Sequence, residues 1–407
     1  MAEPQRSDQG GGVRVDAAVL GFPNIVKHIF EFLPAKTLCS AARVSKLWKH
    51  QIEIVLRQRR QYYWELFESE GGKNHVAVLS SVEQFILDLP VCPSLILVLS
   101  TDKLWKKKYS SSSDSGHAHS SHHKKKQTLA ERLAAIVPPR CKIICSSTYG
   151  IIGTSSNLAR TKEIEHSEAV AVLCFGLHPG LEFVPIDLNP VLFRDKLESL
   201  DFNRSDTEQA IQREDFGFLP PCPDIKAMLM CCNEICDPKI GQMLYTYFKK
   251  PLIVGGFVNH LCTNSYSYRE CLSDMNIDYH ELGDNEYLSC LGVTGDKVQA
   301  ASVIFPPYLT TPEDADTVVQ TLKEKAKDMP LDHTVAFMFA CVARGMQCYG
   351  SYNVESSAFR KYFPKVPIFG FFGNGEIGFE YPREEKSEKP PDLFHSYTTF
   401  IVLLSLS

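Results

Sequence analysis

The sequence lacks the features that mark membrane and secreted proteins. No apolar run approaches the roughly 18 residues that a membrane-crossing helix needs, and the final run from Phe400 is short enough to be a buried strand. The N-terminus, MAEPQRSDQGGG, is polar and glycine-rich, unlike a signal peptide. The 14 cysteines form no evident disulfide framework, so we expect reduced thiols in an intracellular protein without a membrane partner.

Paired ligands for a metal are also missing. No CxxC motif occurs, although Cys141 and Cys145 lie four residues apart. A zinc site requires two short-spaced pairs at a compatible distance. We therefore predict no metal and no cofactor. The remaining loose group of cysteines comprises Cys222, Cys231, Cys232 and Cys236.

A glycine fingerprint near the C-terminus is incomplete. Residues Gly373–Gly378 match the G-x-G-x-x-G pattern of dinucleotide sites, which requires a helix to begin after it. The chain instead continues into a charged, proline-rich segment at Pro382–Asp392, which predicts a loop at a hairpin tip. The sequence therefore disfavours a nucleotide site. Asn374–Gly375, lying between two apolar runs, predicts a type I′ β-hairpin.

What the sequence contains is ordinary globular material. Its 407 residues are 44% hydrophobic and 22% charged, enough for two or three domains. Within it, Leu20–Arg60 carries apolar residues at helical spacing in three runs, broken once at Leu33–Pro34. About forty residues cannot bury so much apolar surface alone. The surplus is covered either by the rest of the chain or by a separate partner, and the spacing leaves both open.

The same stretch is basic. It holds eight Lys/Arg and two Asp/Glu, a local charge of +6 in a chain of net charge −5. A basic helical unit suits an acidic protein surface and would speed the encounter with it. A nucleic-acid footprint is the alternative, but no regular aromatic platforms or zinc-finger patterns accompany the charge. We therefore favour a protein partner over direct contact with nucleic acid.

The stretch resembles an F-box, a motif usually written with a Leu-Pro start, an Ile-Phe-x-x-Leu middle, a Val and a closing Trp. Phe22 replaces the usual first Leu and Ser45 replaces a frequent Cys, and both changes keep the apolar face. The resemblance implies docking onto a Skp-type adaptor, which is joined to the cullin and RING subunits of a ubiquitin ligase. It assigns adaptor binding to Phe22, Pro23, Ile25, Val26, Ile29, Phe30, Leu33, Pro34, Leu38, Val44 and Trp48.

An apolar pattern occurs twice in the C-terminal part. Residues 225–232 and 334–341 each predict a buried strand ending in cysteine, followed by a helix and by a second strand after Pro251 or Pro367. A helix with Pro312 in its first turn joins the copies. The pattern predicts two related β-α-β-β-β halves with mixed sheets. The further strand pairs that it predicts are 287–294 with 298–305, and 376–381 with 393–404.

The second copy also resembles a FIST domain. The residues that carry this resemblance are Phe337–Gly345, Ala358–Arg360, Phe363–Pro364, Val366–Gly378 and Leu393–Thr399. With an F-box ahead of it, the chain is expected to be a multi-domain protein, a small all-α F-box followed by an α+β FIST region. The predicted ranges are 1–19 for a disordered N-terminus, 20–64 for the F-box, 75–310 for the first FIST half with a mobile loop at 103–127, and 311–407 for the second half.

These resemblances imply a non-catalytic substrate-recognition subunit of a Skp–cullin–F-box ubiquitin ligase, which presents proteins for ubiquitination and proteasomal degradation. The implied substrates are chromatin and transcription regulators such as histone lysine demethylases, so we expect the protein to be located in the nucleus and the cytoplasm. A receptor acts by raising effective concentration and orienting the target, so it needs no catalytic residues. Bacterial FIST domains resemble small-ligand sensors, which leaves a ligand-sensing module as the alternative.

Seven residues are candidates for the substrate or ligand surface. Cys341 is a packed strand-end cysteine, a reactive thiol on a binding surface or, least favoured, an enzyme nucleophile. A guanidinium nearby would lower the pKa of its thiol, and His395 would lie close to it if the strands pack as predicted. The candidates are Cys341, Arg344, Gly345, Asn374, Gly375, Glu376 and Cys232.

A polar insertion occupies Lys106–Lys126. It has a serine-rich middle, four histidines and a lysine triplet at each end. It contains too few apolar residues to offset the entropy of ordering, so we predict a mobile loop. A solvated loop without a fixed role, a nuclear localisation signal, phosphorylation and weak metal capture all remain open.

Overall fold

The computed structural model describes two compact units. The described residues are 22–69, 75–109, 126–178, 180–188, 194–202, 211, 219, 224–233, 237–264, 288–383 and 390–406. The first unit runs to Gln61 and includes Leu87–Cys92, whereas the second comprises Tyr62–Ile86 and the chain from Pro93 onward. The predicted N-terminal segment 1–19, the middle of the polar insertion at 110–125, Cys222 and Cys236 lie outside the described residues.

The elements are numbered here in chain order. The helices are α1 (Pro23–Glu31), α2 (Ala35–Ala41), α3 (Lys46–Gln58), α4 (His75–Leu87), α5 (Asp102–Trp105), α6 (Leu129–Ile136), α7 (Arg194–Ser199), α8 (Pro238–Tyr247), α9 (Pro312–Lys325), α10 (Met346–Tyr349) and α11 (Val354–Tyr362). The strands are β1 (Tyr62–Glu68), β2 (Pro93–Thr101), β3 (Lys142–Thr148), β4 (Gly150–Thr154), β5 (Thr161–Ile164), β6 (Ala169–Gly176), β7 (Glu182–Leu188), β8 (Ile225–Cys232), β9 (Leu252–Phe257), β10 (His260–Thr263), β11 (Leu288–Thr294), β12 (Val298–Phe305), β13 (Thr334–Cys341), β14 (Ile368–Gly373), β15 (Glu376–Ile377), β16 (Phe394–His395) and β17 (Thr399–Leu406).

Helices α1 to α3 form the first unit, called here the helical unit. Pro23 opens α1, where its missing N–H removes no helical hydrogen bond. The Ser45 side chain caps α3 by accepting a hydrogen bond from the Trp48 backbone N–H at 3.1 Å. The Phe30 and Trp48 rings meet edge to face, with centroids 5.3 Å apart. The core that the three helices enclose consists of Val26, Phe30, Leu38, Ile52 and Val55.

The segment Leu87–Cys92 closes the helical unit. Arg59, just after α3, donates from its guanidinium to the carbonyl oxygens of Phe30 at 2.9 Å and Leu33 at 2.7 Å. The same guanidinium donates to the carbonyl oxygen of Pro90. One side chain therefore binds carbonyl oxygens at and just after the C-terminal end of α1 and links the later segment to them.

The second unit contains three mixed sheets. Sheet A has the order β1-β6-β2-β3-β10, sheet B the order β7-β11-β8-β9-β15-β16, and sheet C the order β12-β17-β13-β14-β4-β5. In each sheet the third and fourth strands are parallel and the other neighbouring pairs are antiparallel. The three sheets therefore repeat one topology, over residues 62–176, 182–294 and 298–406.

The repeats exchange strands in a closed cycle. Strand β4 follows β3 of sheet A but pairs with β14 of sheet C. In the same way β15 follows β14 but pairs with β9 of sheet B, and β10 follows β9 but pairs with β3 of sheet A. Each repeat thus completes the sheet of another, and the second unit is one folded body.

The predicted fold class is confirmed. A small all-α segment precedes an α+β region with mixed sheets, and the two predicted βαβ copies appear as β8-α8-β9 and β13-α11-β14. The predicted joining helix begins at Pro312 and is capped by Thr311, whose hydroxyl accepts from the Asp314 N–H at 3.2 Å. The structure adds a third copy, β2 and β3 with their intervening helices, so the two halves are two of three repeats.

One predicted strand pair is wrong and the other is confirmed in part. Strands β11 and β12 do not pair with each other, because β11 lies between β7 and β8 and β12 pairs with β17. The predicted pair of 376–381 with 393–404 is confirmed where β15 pairs with β16, with Glu376 opposite His395 and Ile377 opposite Phe394, whereas β17 pairs with β12 and β13. Strands buried on both faces have no apolar–polar alternation, so their sequences do not indicate which neighbour they take.

The hairpin predicted at Asn374–Gly375 is also wrong. Strand β14 belongs to sheet C and β15 to sheet B, so the chain crosses between sheets at this dipeptide. A type I′ turn needs positive φ at both central residues, but only Gly375 has one, at 126°. A Cβ on Gly375 would lie 2.8 Å from the Phe257 ring, which is why glycine occupies the crossing.

The core of the second unit lies where the inner faces of the three sheets meet. Leu97 of sheet A, Leu291 of sheet B and Phe337 of sheet C line the same residual gap of about 40 Å³. Phe369, Phe371 and Phe372 of β14 are buried. A second layer forms outside sheet C, where α9 and α11 pack. In the described part of the chain, no helix is long and apolar enough to cross a membrane.

Candidate functional site

An apolar stripe runs along the outer side of α1. Phe22, Ile25, Ile29 and Phe32 are 58%, 42%, 44% and 74% exposed. Their spacing of three, four and three residues places them on one face of a helix. The adjacent face of α1 packs into the core of the helical unit through Val26 and Phe30. We call these four residues the α1 stripe, and large apolar side chains so exposed are typical of a docking surface.

The residues that the sequence assigned to adaptor binding divide into three groups. The buried ones are Val26, Phe30 and Leu38, and the partly buried ones are Leu33, Pro34 and Trp48. The exposed ones are Phe22, Pro23, Ile25, Ile29 and Val44. A buried side chain supports the surface from below, whereas an exposed one can contact a partner directly. Phe32 was missed, although its position three residues after Ile29 was the available signal.

The seven residues proposed for a substrate or ligand surface are mostly internal. Cys341, Arg344, Gly345, Gly375, Glu376 and Cys232 are buried, and among the seven only Asn374 is exposed. The strand ends that carry these residues are covered because neighbouring repeats pack over them. These residues therefore do not form one open surface.

Cys341 lies in a closed environment at the end of β13. Burial is the main cause that raises the pKa of its thiol, and the charge of Glu376 adds to it. Glu376 accepts from Thr398 at both the backbone N–H, 3.0 Å, and the hydroxyl, 2.7 Å. Burial nevertheless raises the pKa of Glu376 to about 7. His395 lies opposite Glu376, since the two residues are paired on β15 and β16.

The predicted lowering of the Cys341 pKa by Arg344 is wrong, because the guanidinium is engaged elsewhere. Arg344 donates from Nε at 3.0 Å and from Nη2 at 2.6 Å to Oε1 of Glu355. Its Nη1 donates to the Leu309 carbonyl oxygen at 2.9 Å, and the Tyr349 hydroxyl donates to the same Glu355 oxygen at 2.8 Å. This buried ion pair fixes α10 and α11 at the end of β13.

A second buried carboxyl lies near the ion pair. Oε1 of Glu163, on β5, accepts from the Ser356 N–H at 2.7 Å, and the Glu163 N–H donates to Oδ1 of Asn353 at 2.7 Å. Burial, and then the charge of Glu355, raises the pKa of Glu163 to about 7. These contacts join a strand of the first repeat to a helix of the third. Within the described residues, no three His, Cys, Asp or Glu side chains form a metal-binding group.

Comparison with known proteins matches both parts of the chain. A family model of the F-box domain matches residues 20–58, and one of the FIST C domain matches residues 295–379. Human F-box only protein 22 is 30% identical over 403 residues, covering 94% of this chain and 92% of the relative. The chain belongs to the F-box only protein 22 family. The orangutan (Pongo abelii) protein gives the same values, and an F-box/LRR-repeat protein of Arabidopsis thaliana is 31% identical over 120 residues, covering 28% of this chain and 22% of that one.

In this member of the F-box only protein 22 family, the α1 stripe lies within the residues that match the F-box model. An F-box implies binding of a Skp-type adaptor and the role of a substrate receptor in a Skp–cullin–F-box ligase. The FIST C match contains Cys341, Arg344 and Glu376 and ends before β16. The FIST C match covers only part of the third repeat. The first and second repeats lie outside it and resemble the third by strand topology.

This family member also has a cavity outside the FIST C match. The cavity has a volume of about 700 Å³ and lies in the first repeat, against β10. Trp105, on its wall, stacks on His260 with ring centroids 5.8 Å apart. Its apolar lining and lysine rim include Leu79, Leu104, Trp105, Leu129, Cys145, Lys106 and Lys108. No sequence pattern indicated this site, because its lining comes from elements far apart in the chain.

Proposed function

We propose that this protein is a non-catalytic substrate-recognition subunit of a Skp–cullin–F-box ubiquitin ligase, and that the α1 stripe contacts the adaptor. The observation that supports this proposal most is the exposure of Phe22, Ile25, Ile29 and Phe32 on one helix face. Burying an apolar side chain of this size contributes about 1.5–3 kcal/mol when it passes fully from water to an interface. The basic charge of the unit favours an acidic adaptor.

The test is a charge placed in the stripe. Ile29→Asp puts a carboxylate where an apolar contact is expected, and an unpaired buried charge is costly. We expect the affinity for a purified Skp-type adaptor to fall about 100-fold or more, a loss of about 3 kcal/mol. Trp48→Ala is a poorer choice, because Trp48 packs on Phe30 and its loss disturbs the core.

Asn24→Asp is the matched control. It adds the same carboxylate to the same helix, but at an exposed position outside the stripe. Calorimetric titration of adaptor into each full-length variant, with circular dichroism to verify folding, gives the comparison. If folded Ile29→Asp binds as tightly as Asn24→Asp, the α1 stripe is not the docking surface.

The substrates belong to the same proposal. We propose that the FIST region captures chromatin and transcription regulators, such as histone lysine demethylases, in the nucleus and the cytoplasm, and that they are degraded by the proteasome. Affinity capture with the proteasome blocked, comparing the intact chain with Ile29→Asp, separates the two functions. Substrates should be retained by both forms, whereas adaptor and cullin should be lost from the variant. Loss of every protein from the variant would contradict separate docking and capture surfaces.

A small-ligand sensor is the second candidate, and the 700 Å³ cavity favours it. A volume of this size suits a drug-sized molecule, and the exposed Lys106 and Lys108 at its rim favour an anionic one. Thermal-shift screening of metabolite carboxylates against the full chain tests it, with Leu104→Trp as a variant that fills the cavity. A shift that survives this substitution arises at another site.

A further inference from the structure

Two thiols of the helical unit lie in contact although they are 53 residues apart in sequence. Sγ of Cys39, on α2, is 3.3 Å from Sγ of Cys92, in the segment Leu87–Cys92. Cys39 is exposed and Cys92 is partly buried. A disulfide has an S–S distance of about 2.05 Å, so the sulfurs need to approach by only roughly 1.3 Å to bond.

The contact between the two thiols is supported by hydrogen bonds next to both. The Ala35 N–H, one helical turn before Cys39, donates to the Leu89 carbonyl oxygen at 2.9 Å. The guanidinium of Arg59 holds the Pro90 carbonyl, two residues before Cys92. Each cysteine is therefore close to an anchored backbone position, and the two sulfurs are held near each other.

We propose that Cys39 and Cys92 form a reversible oxidation site, in which a peroxide oxidises Cys39 and Cys92 completes an intramolecular disulfide. The Cys39 thiolate attacks one peroxide oxygen, the O–O bond breaks, and the other oxygen leaves as hydroxide or alkoxide. Cys39 is then a sulfenic acid. The Cys92 sulfur attacks the sulfenic sulfur, the S–O bond breaks, and water leaves with the Cys92 proton. One peroxide is reduced by two electrons, and two thiols become one disulfide.

The surroundings assign different roles to the two cysteines. The exposed Cys39 is the one that a peroxide in solution can reach. Burial, and then the hydrogen bond with Cys39, raises the pKa of Cys92 to about 11. Cys92 therefore remains a protonated thiol until Cys39 has been oxidised beside it. A thiol in this position resolves the sulfenic acid faster than a thiol from solution can.

The disulfide would fasten the last segment of the helical unit without displacing the adaptor surface. It joins α2 to Leu87–Cys92, which are already in contact, and neither cysteine belongs to the α1 stripe. Closing a long loop also restricts the unfolded chain. We therefore expect oxidation to raise the unfolding temperature of the helical unit and to leave adaptor affinity unchanged. The proposal does not depend on what the adaptor or the substrates are.

The experiment treats the full-length protein with graded hydrogen peroxide, followed by thiol alkylation and peptide mass spectrometry without reduction. Cys262, an exposed cysteine of the second unit, calibrates the dose. At doses that begin to modify Cys262, we expect the Cys39–Cys92 linked peptide to be the main product at Cys39, and reductant to remove it. The Cys262→Ser variant should give the same yield of the Cys39–Cys92 linked peptide.

Two variants establish the order of events. Cys92→Ser removes the resolving thiol, so Cys39 should accumulate as sulfenic acid, detectable with dimedone. Cys39→Ser should leave Cys92 unoxidised at the same dose. The proposal is overturned if wild-type Cys39 accumulates as sulfenic or sulfinic acid without the linked peptide. It is equally overturned if Cys262 is oxidised while Cys39 stays reduced.

Discussion

Removing the guanidinium from the buried Arg344–Glu355 pair should destabilise the second unit strongly. Both side chains are buried, at 2% and 0% exposure, and Nη2 of Arg344 lies 2.6 Å from Glu355. Arg344→Met leaves the Glu355 carboxylate buried without its counter-charge and the Leu309 carbonyl oxygen without its donor. Breaking a buried pair from one side costs about 3–5 kcal/mol. We expect a loss at the upper end of that range, because a carbonyl also loses its partner.

The second unit should lose much less stability when both charged side chains are replaced together. Arg344→Met combined with Glu355→Leu removes the desolvated charges together, and such replacements are often close to neutral. The Tyr349 hydroxyl then lacks its acceptor, which leaves a cost of about 1–2 kcal/mol. The double variant should therefore be more stable than either single variant. Glu355→Leu alone should be as damaging as Arg344→Met, since it leaves the cation unpaired.

Urea unfolding measures the cycle. The chain has three tryptophans, Trp48, Trp64 and Trp105, so a shared Trp48→Phe background confines the fluorescence signal to the second unit. The sum of the two single losses should exceed the double loss by about 8 kcal/mol. If Arg344→Met costs less than about 1 kcal/mol, the pair is solvated and the reasoning fails. Equal loss in the double variant and the single variants would show that packing, not charge, governs the site.

The remaining predictions concern pH and close packing. Burial raises the pKa values of Glu163 and Glu376 to about 7 in the folded protein, above the pKa of about 4.5 in the unfolded chain. Each protonated carboxyl therefore contributes about 3 kcal/mol of stability below about pH 4.5, and this contribution is lost as the pH rises through 7. The urea concentration at the unfolding midpoint should decrease as the pH is raised from 5 to 8, and Glu163→Gln or Glu376→Gln should make this decrease smaller. The same decrease in both variants as in the wild type would contradict the raised pKa values of these two residues. Gly370→Ala places a Cβ 1.7 Å from the Met338 carbonyl oxygen, so we expect little folded protein by size-exclusion chromatography. Gly350→Ala, with open space but φ of 66°, should cost only about 1 kcal/mol.

The sequence predicts local structure here better than it predicts pairing. Strand β13 follows the predicted bounds 334–341, and the proline-led start of α9 was readable because capping depends on adjacent residues. The α1 stripe was visible as helical periodicity, apart from Phe32. The interior of the second unit was not predictable in this way. Whether Arg344 faces Cys341 or Glu355 is decided by the fold around α11, which no local pattern encodes.

A difference in composition explains why two repeats were visible in the sequence although the structure has three. The first repeat has serine and threonine at the end of β3, where the third has glycine and phenylalanine in β14, so a common composition is lost although the topology is kept. The exchange of strands bears on the predicted boundary between residues 310 and 311. Strands β4 and β5 from before it complete sheet C, and β15 and β16 from after it complete sheet B. A fragment ending at residue 310 would expose the edge of β9 and leave β4 without its neighbour, and unpaired strand edges promote aggregation. A substrate surface on the FIST region therefore has to be sought on the whole of residues 62–406, because neither predicted half contains a complete set of sheets.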